Sequence, residues 1–229
     1  MAWTLSDAAV REVLDRLRAL SAVEDPAAHE RVHERESQLG ARVYGDERVA
    51  LQRGAPLAIV PEVGELLYAM TLARRPRIAV EFGASLGFST VHIAAALRDL
   101  GGGALITTEV CADKARALTA NLVDAGLSDV VEVRRGDATQ TLLALTDSVD
   151  LPFLDGANDL YLDVLRLVEP LLGEGALVIA DMSEGDPHHH SYREHVRDPR
   201  NGFATVEIPL DAGVVISVRS SRFEAAPAG

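Results

Sequence analysis

Ile78-Ala79-Val80-Glu81-Phe82-Gly83-Ala84-Ser85-Leu86-Gly87-Phe88-Ser89-Thr90 is the stretch that decides the fold. An apolar run leads into an acid and a glycine turn. Val91, Ile93, Ala94 and Leu97 then recur at helical spacing. The pattern reads as strand, tight turn, helix N-terminus, which is the nucleotide-cofactor corner of a doubly wound α/β sheet. A dinucleotide fingerprint needs G-x-G-x-x-G. Counted from Gly83, the second and third glycine positions hold Ser85 and Phe88, so that fingerprint fails and a dehydrogenase is disfavoured. The spacing that stands is E-x-G-x-x-x-G-x-S.

Strands and helices alternate from Ile78 onward. The predicted strands are Ile78 to Phe82, Ala104 to Glu109, Val130 to Arg134, Asp150 to Leu154 and Ala176 to Ala180. The helices between them run over Ser89 to Leu100, Ala112 to Ala125, Thr139 to Leu145 and Asp159 to Leu171. Such alternation implies a parallel sheet covered on both faces. Phe203 to Ile208 and Gly213 to Val218, joined through Asp211, read as a closing antiparallel hairpin. The expected fold is a Rossmann-like, seven-stranded, mostly parallel sheet with an antiparallel C-terminal hairpin. Ahead of it, Val10, Val13, Leu14, Leu17 and Leu20 mark one helix, capped by Ser6 or Asp7. Asp25-Pro26 reads as the N-cap and first-turn proline of a second, running toward Leu39-Gly40. A loop from Pro56 to Pro61 and a helix from Glu62 to Ala73 follow. The expected organisation is one domain over 1–229, with a helical lid at 1–55 and a core at 56–220. The tail after Arg222 is expected to fray.

The 229 residues carry a formal net charge of −13 and a single cysteine, Cys111. The basic clusters Arg74-Arg75-Arg77 and Arg134-Arg135 are too short to offset a phosphate backbone, so a nucleic-acid substrate is not expected. No internal disulfide is available, no signal-peptide pattern is visible and no apolar run spans a membrane. Together these imply a cytoplasmic protein away from membranes.

The order of motifs resembles the small O-methyltransferases typified by the catechol and caffeoyl-CoA enzymes, which use S-adenosylmethionine. The resemblance covers about two thirds of the chain. It is carried by Glu81 through Ser89, Glu109, Gly136-Asp137-Ala138, Leu154-Asp155-Gly156 with Tyr161, Pro170-Leu171-Leu172, and Leu177-Val178-Ile179-Ala180-Asp181. It implies a cofactor site of Val60, Glu81, Gly83, Ser85, Ser89, Glu109, Asp137, Ala138 and Asp155, with S-adenosylhomocysteine as product. Glu109 would accept from the ribose hydroxyls, and Asp137 and Ala138 would meet the adenine. Glu81 and Ser85 would meet the amino-acid end. Gly83 would permit close backbone approach. For Ser85 and Ser89 the competing role is helix capping. Relatives that dimerise imply a homodimer.

Two positions depart from that family. Its two aspartates, Asp155 and Asp181 here, are metal ligands completed by an Asn, which here is Met182. Its Lys after the first Asp is Asn158. A thioether is a poor partner for magnesium or calcium, so no metal ligand is assigned and a divalent metal is doubtful. A phenol or alcohol still has to lose its proton, so a general base is needed. The candidates are Asp155, Asp181 and a histidine, His29 or His33. Tyr44, Met182 and His188 are candidate substrate contacts, although His188-His189-His190 reads most simply as a solvated loop. His29-Glu30-Arg31-Val32-His33 fits H-E-x-x-H, but the longer pattern fails at Glu36 and no third ligand follows. A zinc hydrolase is therefore the weaker alternative. The leading expectation is methyl transfer to a small, aromatic acceptor, by default on oxygen. A metal-independent C- or N-methyltransferase acting on an indole or phenol ring, as in specialised metabolism, and a non-catalytic S-adenosylmethionine-binding protein are the alternatives.

Overall fold

The computed structural model describes residues 3–183 and 185–220. The expected fraying after Arg222 concerns residues outside that range. Side chains on each central strand alternate between two separate apolar cores. Ala79, Phe153, Ile179 and Val214 face one, while Val80, Phe82, Val178, Ala180 and Val215 face the other. Both faces of the sheet are therefore covered, as parallel strands require.

The parallel strands are β1 (Ile78–Phe82), β2 (Ala104–Glu109), β3 (Val131–Arg135), β4 (Leu151–Leu154) and β5 (Leu177–Asp181). They are completed by β6 (Phe203–Ile208) and β7 (Val214–Arg219). The sheet order is β3-β2-β1-β4-β5-β7-β6, with β7 antiparallel to both β5 and β6. The expected seven-stranded, mostly parallel sheet with a reversed C-terminal hairpin is the one observed. One face packs against α1 (Ala8–Leu39), α3 (Pro61–Arg74), α4 (Phe88–Leu100) and α5 (Ala112–Asp124). The other packs against α6 (Ala138–Thr141), α7 (Tyr161–Val168) and α8 (His189–Arg197). Every residue of α4 from Phe88 to Leu97 is buried, because α1 and α3 cover the side that faces away from the sheet. The strand order reverses between β1 and β4, which opens a crevice at their carboxyl ends.

The N-terminal region differs from expectation. One helix of 32 residues replaces the predicted two, with Pro26 inside it. Asp25 is not a helix cap. Its Oδ1 accepts from the Leu57 amide at 2.8 Å and its Oδ2 from the Ala58 amide at 3.1 Å. The Ser21 hydroxyl donates to the same carboxylate. Pro26 removes one helical hydrogen bond, yet Ala22, whose carbonyl loses its partner, is exposed and can be hydrated. Burial of Val10, Val13, Leu17, Ala28 and Val32 along one stripe holds the helix together across that break. Asp7 precedes the helix without capping it through its side chain. A short helix absent from the sequence reading, α2 (Gly45–Leu51), follows. The supposed solvated loop at His188 to His190 is instead the start of α8, with His189 buried against the Tyr161 ring at 4.7 Å between centroids.

A continuous α1 makes opposite forecasts for two neighbours. Pro26→Ala should stabilise the protein by about 1–3 kcal/mol, because it restores an interior helical residue. Asp25→Ala should destabilise it by about 1–3 kcal/mol, because two amides lose a charged acceptor. Chemical denaturation checks both. A broken helix capped at Asp25 would instead leave Pro26→Ala neutral.

Candidate active site

A cavity of about 560 Å³ lies at the carboxyl ends of β1, β2, β4 and β5. Its floor is the turn after β1. Glu81, fully buried beneath that turn, fixes it through three hydroxyl donors: Ser89 and Thr90 at 2.6 Å each, and Thr107 at 2.5 Å. These bonds tie β1 to the first turn of α4 and to β2. Burial pushes the Glu81 carboxyl above its ordinary range, and the three hydroxyls oppose that shift. Gly83 has φ +92, and a Cβ there would sit 2.5 Å from the Asp155 carbonyl oxygen. Only glycine lets the β1 and β4 turns touch in this way.

One end of the cavity is polar and satisfied. Glu109 closes β2, and its Oε1 accepts from the Cys111 amide at 2.7 Å while Oε2 accepts from the Ser85 amide at 2.8 Å. A carboxylate has about four acceptor sites, so Glu109 retains capacity to hold a vicinal diol. Burial raises its pKa, against the lowering by the Cys111 amide and the Lys114 charge. The Lys114 ammonium donates to Ser85 Oγ at 3.0 Å. Asp137 closes the same end and caps α6, accepting from the Thr139 amide at 2.8 Å.

The other end is acidic. Asp155 and Asp181 follow adjacent strands, and the β6–β7 turn brings Asp211 to the same wall. Burial raises the Asp155 pKa well above the usual carboxylate range, and the Asp181 charge adds to this. Burial, then the Asp211 charge, raises Asp181 to about 7. Asp181 Oδ1 is buried without a hydrogen-bond partner among the described residues.

Residues 80–182 match a family described as a methyltransferase domain. Catechol O-methyltransferase of Mus musculus is 34% identical over 126 residues, covering 52% of this chain and 46% of the mouse protein. That of Sus scrofa is also 34% identical over 126 residues, covering 52% and 66%. The chain thus spans about half the length of the first of these relatives and falls short of two thirds of the second. The O-methyltransferase TomG of Streptomyces achromogenes, involved in tomaymycin synthesis and solved with SAM, superposes with a TM-score of 0.64. It is 21% identical and the match covers 87% of this chain and 99% of that one. An O-methyltransferase of Bacillus cereus in complex with SAH gives 0.63 at 19% identity, covering 89% and 100%. These structural likenesses establish the fold.

Within the matched segment, Gly83, Ser85, Ser89, Glu109, Asp137, Ala138, Asp155, Asp181 and Met182 all line the cavity. Glu81 does not, since its carboxylate is consumed by the hydroxyl network below. Val60 stands behind the wall, which ends at Ile59. Ser89 spends its hydroxyl on Glu81, and the residue that caps α4 is Gly87 at φ 100, so neither serine is a cap. His29 reaches the cavity from α1, but His33 does not. Tyr44 and His188 are also outside the wall. They bond to each other at 2.7 Å and clasp the segment after α1 to the segment after β5. Sequence reasoning missed Lys114 and Asp211. The signal for Asp211 was topological: β7 runs antiparallel to β5, so its preceding turn must lie where β5 ends.

The metal triad that the resemblance implies does not fit. Its third position, Met182, offers a buried thioether, and among the described residues no group of three His, Cys, Asp or Glu side chains is arranged to hold a metal ion. The His29–His33 pair likewise gains no third ligand there.

The raised Asp181 pKa has a sign that can be checked. Between the ordinary carboxylate pKa and about 7 the folded state binds more protons than the unfolded state, so stability falls as pH rises through that window. Asp181→Asn should therefore stabilise the protein at pH 8, on the order of 1–3 kcal/mol, with little effect at pH 4. Denaturation midpoints across pH measure this. Equal effects at both pH values would contradict the assignment.

Proposed function

We propose that this chain is an enzyme that transfers the methyl group of S-adenosylmethionine to an oxygen of a small aromatic molecule. The observation that carries this reading is Glu109: a buried carboxylate at the end of β2, oriented by two backbone amides, with acceptor capacity left over. Ribose hydroxyls suit it, while Asp137 and the buried Ala138 at the same end suit an adenine. Gly83, Ser85 and Asp155 border the stretch where the amino-acid end would extend. When bound, the cofactor supplies an electrophilic methyl group on a positively charged sulfur.

The chain's own residues then have two tasks. The first is alignment. Asp25 and His29 of α1, with Asp46 and Gln52 of the α2 region, line the cavity and close it from above. This supports treating 1–55 as a lid on the 56–220 core within one domain. Exclusion of water and fixed geometry can account for much of the rate of an in-line displacement. The second task is proton removal. Asp181, unpartnered at Oδ1 and with a pKa near 7, is suited to take the acceptor's hydroxyl proton without a metal. The formal charge of −13 favours small molecules over nucleic acids as substrates. No helix among the described residues is long and apolar enough to cross a membrane, and the lone Cys111 suits a cytoplasmic setting.

Calorimetric titration with S-adenosylmethionine and S-adenosylhomocysteine tests the cofactor assignment. Both should bind, and Glu109→Ala should weaken both by about tenfold or more. Binding of neither would overturn the reading. With an accepted phenol, Asp181→Asn should lower kcat by about 10²–10⁴ while leaving cofactor affinity within a few fold. An unchanged kcat would remove Asp181 as the base. Activity should persist in EDTA.

A further inference from the structure

Lys114 lines the cavity beside Glu109 and is only 6% exposed. Lysine is almost never buried without partners for its charge. The ammonium has three donors, and among the described residues one is used, on Ser85 Oγ at 3.0 Å. Burial works against the charge, and Glu109, Cys111 and Asp25 face it. The two carboxylates spend oxygens elsewhere: Glu109 on the Cys111 and Ser85 amides, Asp25 on the Leu57 and Ala58 amides. The position is set by the fold, since Glu109 closes β2 and Lys114 stands in the first turn of the helix that follows, α5.

A ribose diol makes the complementary demand. Each hydroxyl has one donor and two lone pairs. Glu109, as a carboxylate, only accepts: it takes the donors and leaves the hydroxyl oxygens to be matched by something else. Asp137 at the same end is another acceptor, and its Oδ1 already receives the Thr139 amide and hydroxyl. Among the side chains of Glu109, Val110, Cys111, Lys114, Asp137 and Ala138, Lys114 alone has N–H donors. We propose that Lys114 donates to the ribose hydroxyl oxygens while Glu109 accepts from the same hydroxyls, so that the pair reads a diol from both sides. This rests on the reading of Glu109 as the ribose site, and it adds a contact that the sequence resemblance does not imply. The ammonium also keeps Glu109 an acceptor. Its charge lowers the Glu109 carboxyl against the rise imposed by burial, while Glu81 beneath the turn is the opposing like charge.

The test is calorimetric titration with S-adenosylhomocysteine and with 5′-methylthioadenosine, which keeps the adenine and ribose and lacks the amino-acid end. Lys114→Met should weaken both by the same factor, about tenfold or more. Ser85→Ala removes the ammonium's partner and keeps the ammonium, so it should leave 5′-methylthioadenosine affinity within about threefold of the wild type. In Lys114→Met the loss of affinity on acidification should begin at a higher pH than in the wild type, because Glu109 takes up its proton sooner. Unchanged affinities in Lys114→Met would overturn the proposal, as would a pH dependence identical to that of the wild type. A loss confined to S-adenosylhomocysteine would overturn it by assigning the ammonium to the cofactor's carboxylate. An equal loss of 5′-methylthioadenosine in Ser85→Ala would overturn it by making Lys114 a support for the turn. Wild-type binding of S-adenosylhomocysteine without measurable binding of 5′-methylthioadenosine at millimolar concentration would overturn it too. Binding of neither ligand by the wild type is failure of the cofactor assignment itself, and it is read before any variant.

Discussion

The buried carboxylate of Glu81 is the constraint on which the site depends. It lies under the turn after β1 and gathers hydroxyls from α4 and β2 onto one residue of β1. An acid in that position is unfavourable unless it is hydrogen-bonded, and here three donors meet it. The result is a turn fixed from below, so that the Ser85 amide can point at Glu109 and Gly83 can press against the turn after β4. The cavity wall is thus a consequence of a polar network outside the cavity. A change to Glu81 would act on the site through the turn rather than through any ligand.

The two ends of the cavity follow different electrostatic logic. Around Glu109 each charged group has partners supplied by the fold: two amides, and a lysine held by a serine. That is the arrangement of a preformed recognition site. Around Asp181 the fold supplies like charges and no donors, and the carboxyl responds by holding its proton to about pH 7. Met182 belongs to this contrast. A thioether stands where the resemblance implies a hard oxygen donor, and it brings no donor to the neighbouring aspartates.

The sequence read the core well where periodicity and turn chemistry agreed. The strand from Ile78, the glycine turn and the alternation beyond it each obey short-range rules, and the reversed hairpin followed from its turn at Asp211. The N-terminal region was less legible because two local signals conflicted with packing. Asp25-Pro26 has the form of a helix start, yet the carboxylate is used 32 residues away, at Leu57. His188 to His190 looked like solvated polar sequence because the partner of His189, the ring of Tyr161, comes from another element. Glu81 was assigned to the ligand because a motif shows spacing and not depth. Asp211 was seen as a turn residue, and only the strand order places that turn over the end of β5.

The most direct test of the account is a crystal structure with S-adenosylhomocysteine bound. It should show both ribose hydroxyls donating to Glu109, the adenine against Asp137 and Ala138, and the sulfur directed toward Asp155 and Asp181. A nucleoside placed away from Glu109, with its sulfur pointing out of the acidic end, would contradict it.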